Sequence, residues 1–383
     1  EFGGGPDFFA RDSGLLCRGF QQIGIESRAV MPGARKPEDE TDLIRTDYSN
    51  LESAEWWRSH QLDGVVLYAW GSPQFRHIAR AIRESGVKLV LNQDSSGNIS
   101  PLNGLRAWIV EQWTLNGSGA SPALSIRAAF QILRGLSIGM VRTDLLRAFH
   151  LKQGHHIACV FPDAVESYRR LCRIYGGEAL AKKVELLPHA VSPSLRFDPA
   201  SHRKQARIIA IGRWDDQIQK RPSLLTGTLG RLLFENMKIG IDIVGNLTAE
   251  IEAWRDNLPH PERVTLHGKL PHEKLRELLT TAQIYYCPSA YESFNIAAAE
   301  ALCCGCSVVA ATRPTMASFR WFSSQNSGTL AASDDVTGHV QAILNEISLW
   351  ERNERDPISI SSHWTSILHA DKIAFKVLEL AKK

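Results

Sequence analysis

Pro288-Ser-Ala-Tyr-Glu-Ser-Phe-Asn-Ile-Ala-Ala-Ala-Glu-Ala-Leu-Cys-Cys-Gly305 sets one acid, Glu292, just ahead of an alanine-rich helix and another, Glu300, inside it. Apolar runs flank the stretch, Ile284 to Cys287 before and Ser307 to Ala311 after. Strand, helix and strand in that order form a parallel crossover unit. Eight positions at ~1.5 Å per residue correspond to roughly 12 Å, and the helix start between the two acids offers unpaired amides at a positive dipole end. An anion flanked by hydroxyl groups suits this layout, and a nucleotide diphosphate sugar has it. The diphosphate would sit on the amides of Phe294, Asn295 and Ile296, with one carboxylate on the hexose hydroxyls and the other on the ribose. Two solvated glutamates on a helix that packs through its alanines are the plainer alternative.

Upstream, Ile211-Gly-Arg-Trp-Asp-Asp-Gln-Ile-Gln-Lys-Arg-Pro222 carries Arg213 and Lys220 from a strand end into a helix opened by proline. Doubly wound folds bind ligands at the carboxyl ends of their strands. Two cations there offset a diphosphate and the charge that grows on it as a glycosidic bond breaks; taken alone they are equally a surface Arg and a surface Lys. Asp215-Asp216 in the same loop suits an acidic turn better than a metal site.

The α/β rhythm extends both ways. Gly64 to Tyr68, Val87 to Leu91, Ile157 to Phe161 and Val184 to Leu187 read as strands in the first half, and Arg207 to Ile211, Ile239 to Val244 and Arg263 to Leu266 in the second. Helices are expected over Gln74 to Ser85, Asp163 to Tyr175 with a left-handed cap at Gly176-Gly177, Pro222 to Asn236 and Pro271 to Ala282. A less regular insertion is expected between Ser95 and Gly154, and a last helix over His363 to Leu380. Proline punctuation from Pro188 to Ser201 suits an interdomain connection. The expected division is 1–196, an N-terminal domain; 197–356, a C-terminal domain; and 357–383, a helix returning to the first. Gly3-Gly4-Gly5-Pro6 looks like a loop that follows a buried strand, so a strand is expected upstream of it.

At 383 residues, with 44% hydrophobic and 22% charged residues, the chain suits two compact domains and excludes disordered, collagen-like and coiled-coil classes. Its formal net charge of +3 is too slight for a general nucleic-acid binder. Seven cysteines without zinc-like spacing point to a reducing cytosol, and His155-His156 and Cys303, Cys304 and Cys306 are better core residues than metal ligands. Neither a phosphate-loop signature nor a serine nucleophile elbow is present.

Together these pieces resemble the donor domain of the GT-B retaining glycosyltransferases of sequence family four. The match runs through Gly212-Arg213 with Lys220, Asp242-Ile-Val-Gly245, Val264-Thr-Leu-His-Gly268, Glu292-Ser-Phe-Asn-Ile296 with Glu300 and Ala301, and Gly305-Cys-Ser-Val-Val309. It is close over residues 205 to 312 and loose before them. The resemblance implies two Rossmann-like α/β domains facing across a cleft and transfer of a hexose from a nucleotide diphosphate sugar to an acceptor hydroxyl on a glycan, lipid or small molecule, with retention. It implies no cofactor and no metal. Arg213 and Lys220 would hold the diphosphate beside Gly212, Glu292 with Ser293 to Ile296 the sugar and phosphates, Glu300 the ribose, and Lys269 and Leu270 the base. Gly4 and Gly5 would lie on the acceptor side.

Two departures stand out. Leu187-Pro-His-Ala-Val191 replaces the Asn and Gly of the family's Pro-Asn-Gly-Val segment. Members often carry a His-Asp pair after the strand matching Val87 to Leu91, where this chain has Asn92-Gln93-Asp94. Gln93 cannot titrate but can orient hydroxyls through its amide, and Asp94 is either an acceptor-site acid or a turn residue. A nucleotide-sugar-binding protein without transfer activity, and a GT-B epimerase or phosphorylase, are the competing readings. Leu105 to Lys152 carries Arg106, Arg127, Arg134, Arg142, Arg147 and Lys152 with Trp108, Trp113 and Phe130. It is a solvated helical face or, as in relatives that act on lipids, a peripheral membrane contact of a cytoplasmic protein.

Overall fold

The computed structural model describes residues 8–10, 12–69, 71–117, 119–200, 204–235 and 239–382. Gly3 to Pro6, with the candidates Gly4 and Gly5, lie outside the described residues. Contacts divide the chain into two compact units, Glu1–Trp113 with Ile126–Ser192 and Ile367–Lys383, and Thr114–Ser125 with Pro193–Ser366.

The first unit holds a two-stranded parallel sheet, β1 (Ala29–Pro32) and β2 (Leu43–Thr46), and a four-stranded parallel sheet. The latter runs β3 (Gly64–Tyr68), β4 (Lys88–Gln93), β5 (His156–Cys159) and β6 (Val184–Leu186), in that order across the sheet. Leu67, Leu91, Ile157 and Val184 form one row across all four. On one face Val90 and Ala158 pack against Leu15 and Leu16 of the helix Asp12–Gln22 and against Ile373, Ala374 and Val377 of the helix Ala370–Lys382.

The second unit has six parallel strands: β7 (Gln205–Arg213), β8 (Gly240–Asn246), β9 (Val264–Gly268), β10 (Ala282–Cys287), β11 (Ser307–Ala311) and β12 (Gly328–Ala331). Their order is β12-β11-β10-β7-β8-β9. Parallel strands covered on both faces read as unbroken apolar runs. Ile208, Ile209 and Ala210 in β7 and Ile284, Tyr285 and Tyr286 in β10 are accordingly buried in succession. Strand order reverses beside β7, where doubly wound sheets open a ligand crevice at the carboxyl ends of their strands.

Several local expectations differ from the structure. Residues expected as an irregular insertion are mostly helical, Leu105–Leu115, Pro122–Gly135 and Ile138–Gln153. The expected terminal helix is two, Pro357–Leu368 and Ala370–Lys382, because Val191 pairs with His369 between them and its carbonyl accepts from Ala370 N at 2.9 Å. The helix from Pro162 breaks at Gly177, with φ of 69° and ψ of −172°, and a further turn follows to Ala181. Strands β1, β2 and β12 had no counterpart in the sequence pattern.

Gly245, at the carboxyl end of β8, has a φ of 124°, and a Cβ there would fall 1.8 Å from the Gly212 carbonyl oxygen. Only glycine allows the two strand ends to close up. Gly245→Ala is expected to cost about 3 kcal/mol or more, a melting-point drop of roughly 6–12 °C. Thermal denaturation checks this, and a melting point unchanged within experimental error would contradict the steric account.

Candidate functional site

At the carboxyl ends of β7 and β10, Lys220 Nζ lies 2.5 Å from Glu292 Oε1, and the Ser289 hydroxyl donates to the same oxygen at 2.7 Å. Both side chains are largely buried, the lysine 14% and the glutamate 9% exposed. Burial alone would lower the Lys220 pKa, but the Glu292 carboxylate outweighs it and the ammonium is held above its ordinary value. Burial together with the Glu292 charge pushes the neighbouring Cys287 thiol up to about 11. A buried ion pair of this kind is costly to assemble and keeps its charges only while both partners stay.

The surroundings of the pair are built by backbone clamps. Glu292 N donates to Thr315 O at 2.9 Å, and the buried Thr315 hydroxyl donates to Ala290 O at 2.6 Å. Ala290 N in turn donates to Gln219 O at 2.8 Å, and the Gln219 amide donates to Tyr291 O at 3.2 Å, so the two loops are tied to each other. Asp216 accepts from Gln219 N at 2.8 Å within the turn, while Asp215 accepts from the Asn246 amide at 3.2 Å. Arg221, directly after Lys220, has a φ of 53°, rare for a side-chain-bearing residue. Its guanidinium donates to both oxygens of Asp334 at 2.9 Å, and Arg313 and His339 meet the same carboxylate. Burial opposes ionisation of Asp334, but His339 and the two arginines hold its pKa below the usual value.

Asn295, also left-handed at φ of 68°, caps the helix Ile296–Cys303: its Oδ1 accepts from Ala298 N at 2.9 Å and from the Tyr285 hydroxyl at 3.1 Å. Phe294 is buried on Phe322, ring centroids 5.1 Å apart, which fixes the chain's entry into the helix. Ser293 beside it is half-buried. One turn into the helix, Glu300 is buried with its Oε1 3.5 Å from His272 Nε2. His272 opens the helix His272–Thr281 just after exposed Lys269 and half-buried Leu270. His272 had no part in the sequence expectation, since a lone histidine at a helix start carries no spacing signal.

The structure therefore brings Lys220, Glu292 and the loop to Ile296 together, and places Glu300 farther along the same helix beside the segment that begins at Lys269. Gly212 closes on Gly245 at the end of β7. Arg213 is exposed; its Nη2 donates to Gln219 Oε1 at 3.0 Å and lies 3.6 Å from Asp216. Cys303, Cys304 and Cys306 are buried, with the Lys204 ammonium donating to Cys304 O at 2.7 Å and lying 3.4 Å from Cys306 Sγ. Among the described residues no group of three His, Cys, Asp or Glu side chains is arranged to hold a metal ion.

In the first unit Gln93 is fully enclosed, its Oε1 accepting from the Tyr168 hydroxyl at 3.5 Å. That is a correction to its acceptor-side role, because an amide with no surface in contact with solvent cannot present itself to a hydroxyl. Asp94, next along the chain, does reach solvent and pairs with His189 Nε2 at 3.2 Å, a partner the sequence did not disclose.

The fold is the GT-B class of two α/β units. The structure superposes on a sucrose-phosphate synthase from Thermosynechococcus elongatus with a TM-score of 0.60 and 15% identity, covering 96% of this chain and 91% of that one. Residues 205–348 match the family model described as Glycosyl transferases group 1. The gpi3 subunit of a phosphatidylinositol N-acetylglucosaminyltransferase from Schizosaccharomyces pombe is 25% identical over 175 residues, 45% of this chain and 37% of that protein. A component of the phosphatidylinositol N-acetylglucosaminyltransferase of Arabidopsis thaliana is 31% identical over 126 residues, 32% of this chain and 28% of that one. The matches thus span about a third of these relatives' length.

Lys220→Met or Glu292→Gln alone should each destabilise the fold by about 3 kcal/mol, by stranding a buried charge. The double variant should recover most of that loss. Urea denaturation of the three variants checks the coupling, and costs that simply add would contradict a buried pair.

Proposed function

We propose that this chain transfers N-acetylglucosamine from a nucleoside diphosphate donor to a hydroxyl of phosphatidylinositol, with retention at the anomeric carbon. The observation that carries it is the Lys220–Glu292 pair beside the capped start of the helix Ile296–Cys303, inside the family-matched stretch. The sugar and the lipid come from the names of the curated relatives, and they narrow the hexose and acceptor expected from the sequence.

On this reading the diphosphate lies on the free amides at the helix start, the sugar hydroxyls meet Glu292 and the ribose hydroxyls meet Glu300. Lys220 and Arg213 stabilise the charge that develops on the departing phosphate oxygen, the role a divalent cation takes in other transferases. The bond between the anomeric carbon and that oxygen breaks, the acceptor oxygen bonds to carbon on the same face, and the acceptor proton passes to the departing phosphate. No protein nucleophile is required, so the absence of a titratable group at Gln93 is no obstacle.

A lipid acceptor is also supported by the helices Pro122–Gly135 and Ile138–Gln153. Ile126, Phe130 and Leu133 on the first, and Val141, Leu145 and Phe149 on the second, recur at helical spacing and are exposed. Arg127, Arg134 and Arg142 are exposed among them, whereas the single acid in these helices, Asp144, is buried against Arg147 and Ser100. Apolar side chains ringed by cations suit an anionic lipid surface, with peripheral contact. Among the described residues no single helix is long and apolar enough to cross a membrane.

Purified protein incubated with UDP-N-acetylglucosamine, and with GDP- and ADP-sugars as controls, should show a melting shift with the first. With phosphatidylinositol in mixed micelles it should release UDP and form an α-linked product, identified by NMR. Arg213→Ala and Lys220→Ala should each lower kcat/KM by about a hundredfold or more and abolish the shift. Binding without product on any acceptor would replace this reading with that of a nucleotide-sugar-binding protein. Unchanged donor affinity in both variants would remove the assigned site.

A further inference from the structure

The amino edge of the four-stranded sheet, opposite the strand ends where open α/β sheets take their substrates, gathers cations. Lys88 opens β4, His155 directly precedes β5 and Lys183 directly precedes β6, and these three strands are neighbours in that order. Arg83 joins them from the last turn of the helix Arg76–Ser85. Arg83 and Lys88 are exposed, while His155 and Lys183 are half-buried.

The imidazole is built into the sheet. His155 N donates to Leu89 O at 2.8 Å, and Leu89 N donates back to the imidazole Nδ1 at 2.9 Å, so the neutral ring carries its proton on Nε2. That N–H has no partner among the described residues and is not enclosed. Burial, and then the charges of Arg83, Lys88, Lys183 and His156, hold the ring's pKa down to about 4. Burial and the Arg83 charge likewise lower the pKa of Lys183, and no carboxylate among the described residues counters them.

The acids of the flanking helices are already engaged. Glu84 pairs with Arg80 at 2.7 Å, Glu166 with Arg169 at 3.0 Å and Glu178 with Arg173 at 2.9 Å. Capping accounts for part of the cluster, since Lys183 donates to Gly154 O at 2.9 Å just past the helix Ile138–Gln153. It does not account for Arg83 and Lys88, which have no ion-pair partner among the described residues. Like charges gathered without an acid repel one another, and a bound anion removes that cost. A guanidinium fork, two ammonium groups and a neutral N–H can address several oxygens at once. A phosphomonoester offers three such oxygens and close to two negative charges at neutral pH.

We infer that Arg83, Lys88, Lys183 and His155 form a binding site for a phosphomonoester group, separate from the positions assigned to the nucleotide sugar and its acceptor. A soluble phosphorylated metabolite and a lipid headgroup share this chemistry.

Inorganic phosphate is titrated into the full chain with and without UDP, against chloride at matched ionic strength. The His155 ring is followed by NMR of nitrogen-labelled histidine, its signals assigned with a His155→Gln variant. Phosphate should bind with a Kd of about 1 mM or tighter whether or not UDP is present. The His155 signals should move, and its pKa should rise from about 4 as the anion offsets the cations. Arg83→Gln combined with Lys88→Gln changes only exposed side chains, so the melting point should hold while phosphate affinity falls about tenfold or more. Sedimentation with phosphatidic acid vesicles that phosphate competes away assigns the site to a headgroup. Phosphate binding without such sedimentation assigns it to a soluble ligand, and either result upholds the site. His155 signals that stay still, or that chloride moves equally, overturn it, as does unchanged affinity in the double variant. Phosphate binding abolished by UDP places the anion among the donor residues and overturns it as well.

Discussion

A lysine and a glutamate buried against each other have no water to fall back on, so the polypeptide must deliver both to the same place or lose the stability each would otherwise cost. Lys220 sits in the loop after β7 and Glu292 in the loop after β10, and these strands are neighbours in the sheet. Their adjacency is what turns two distant sequence positions into one site. Lys220 keeps its charge because the Glu292 carboxylate supplies what its burial removes.

Around that constraint the remaining parts act as braces. Thr315 and Gln219 tie the loops through backbone groups, and the Asp334 carboxylate, held by Arg221, Arg313 and His339, fixes the residue immediately after Lys220. Two residues adopt a strained backbone here, Arg221 and Asn295, both with positive φ. Strain of this sort concentrates where geometry matters for function. Asn295 offsets it directly by capping the helix whose free amides form the anion-binding end.

The strands of the second unit were legible because buried parallel strands are written as apolar runs, and the candidate site was legible because its residues occur in a fixed order along β7, β10 and the following helix. The short strands β1, β2 and β12, four residues each and only partly buried, give too brief a signal to read. The helices between Leu105 and Gln153 were obscured because their apolar residues face outward as well as inward, blurring the usual periodicity. The division of the last helix depends on Val191, which is remote in sequence from His369. His189 was missed for the same reason: its partner Asp94 lies just past the end of β4, and nothing in the spacing of either residue announces the other. Gln93 and Asp94 are adjacent in sequence yet part company at the end of β4, one enclosed beside Tyr168 and the other reaching solvent beside His189.

The most direct measurement is a crystal structure of the protein with UDP bound. The account predicts the diphosphate within hydrogen-bond distance of Lys220 Nζ and of the amides of Asn295 and Ile296, with the ribose hydroxyls on Glu300. Ordered UDP anywhere else, with the Lys220–Glu292 pair unchanged and Glu300 still turned only to His272, would contradict it.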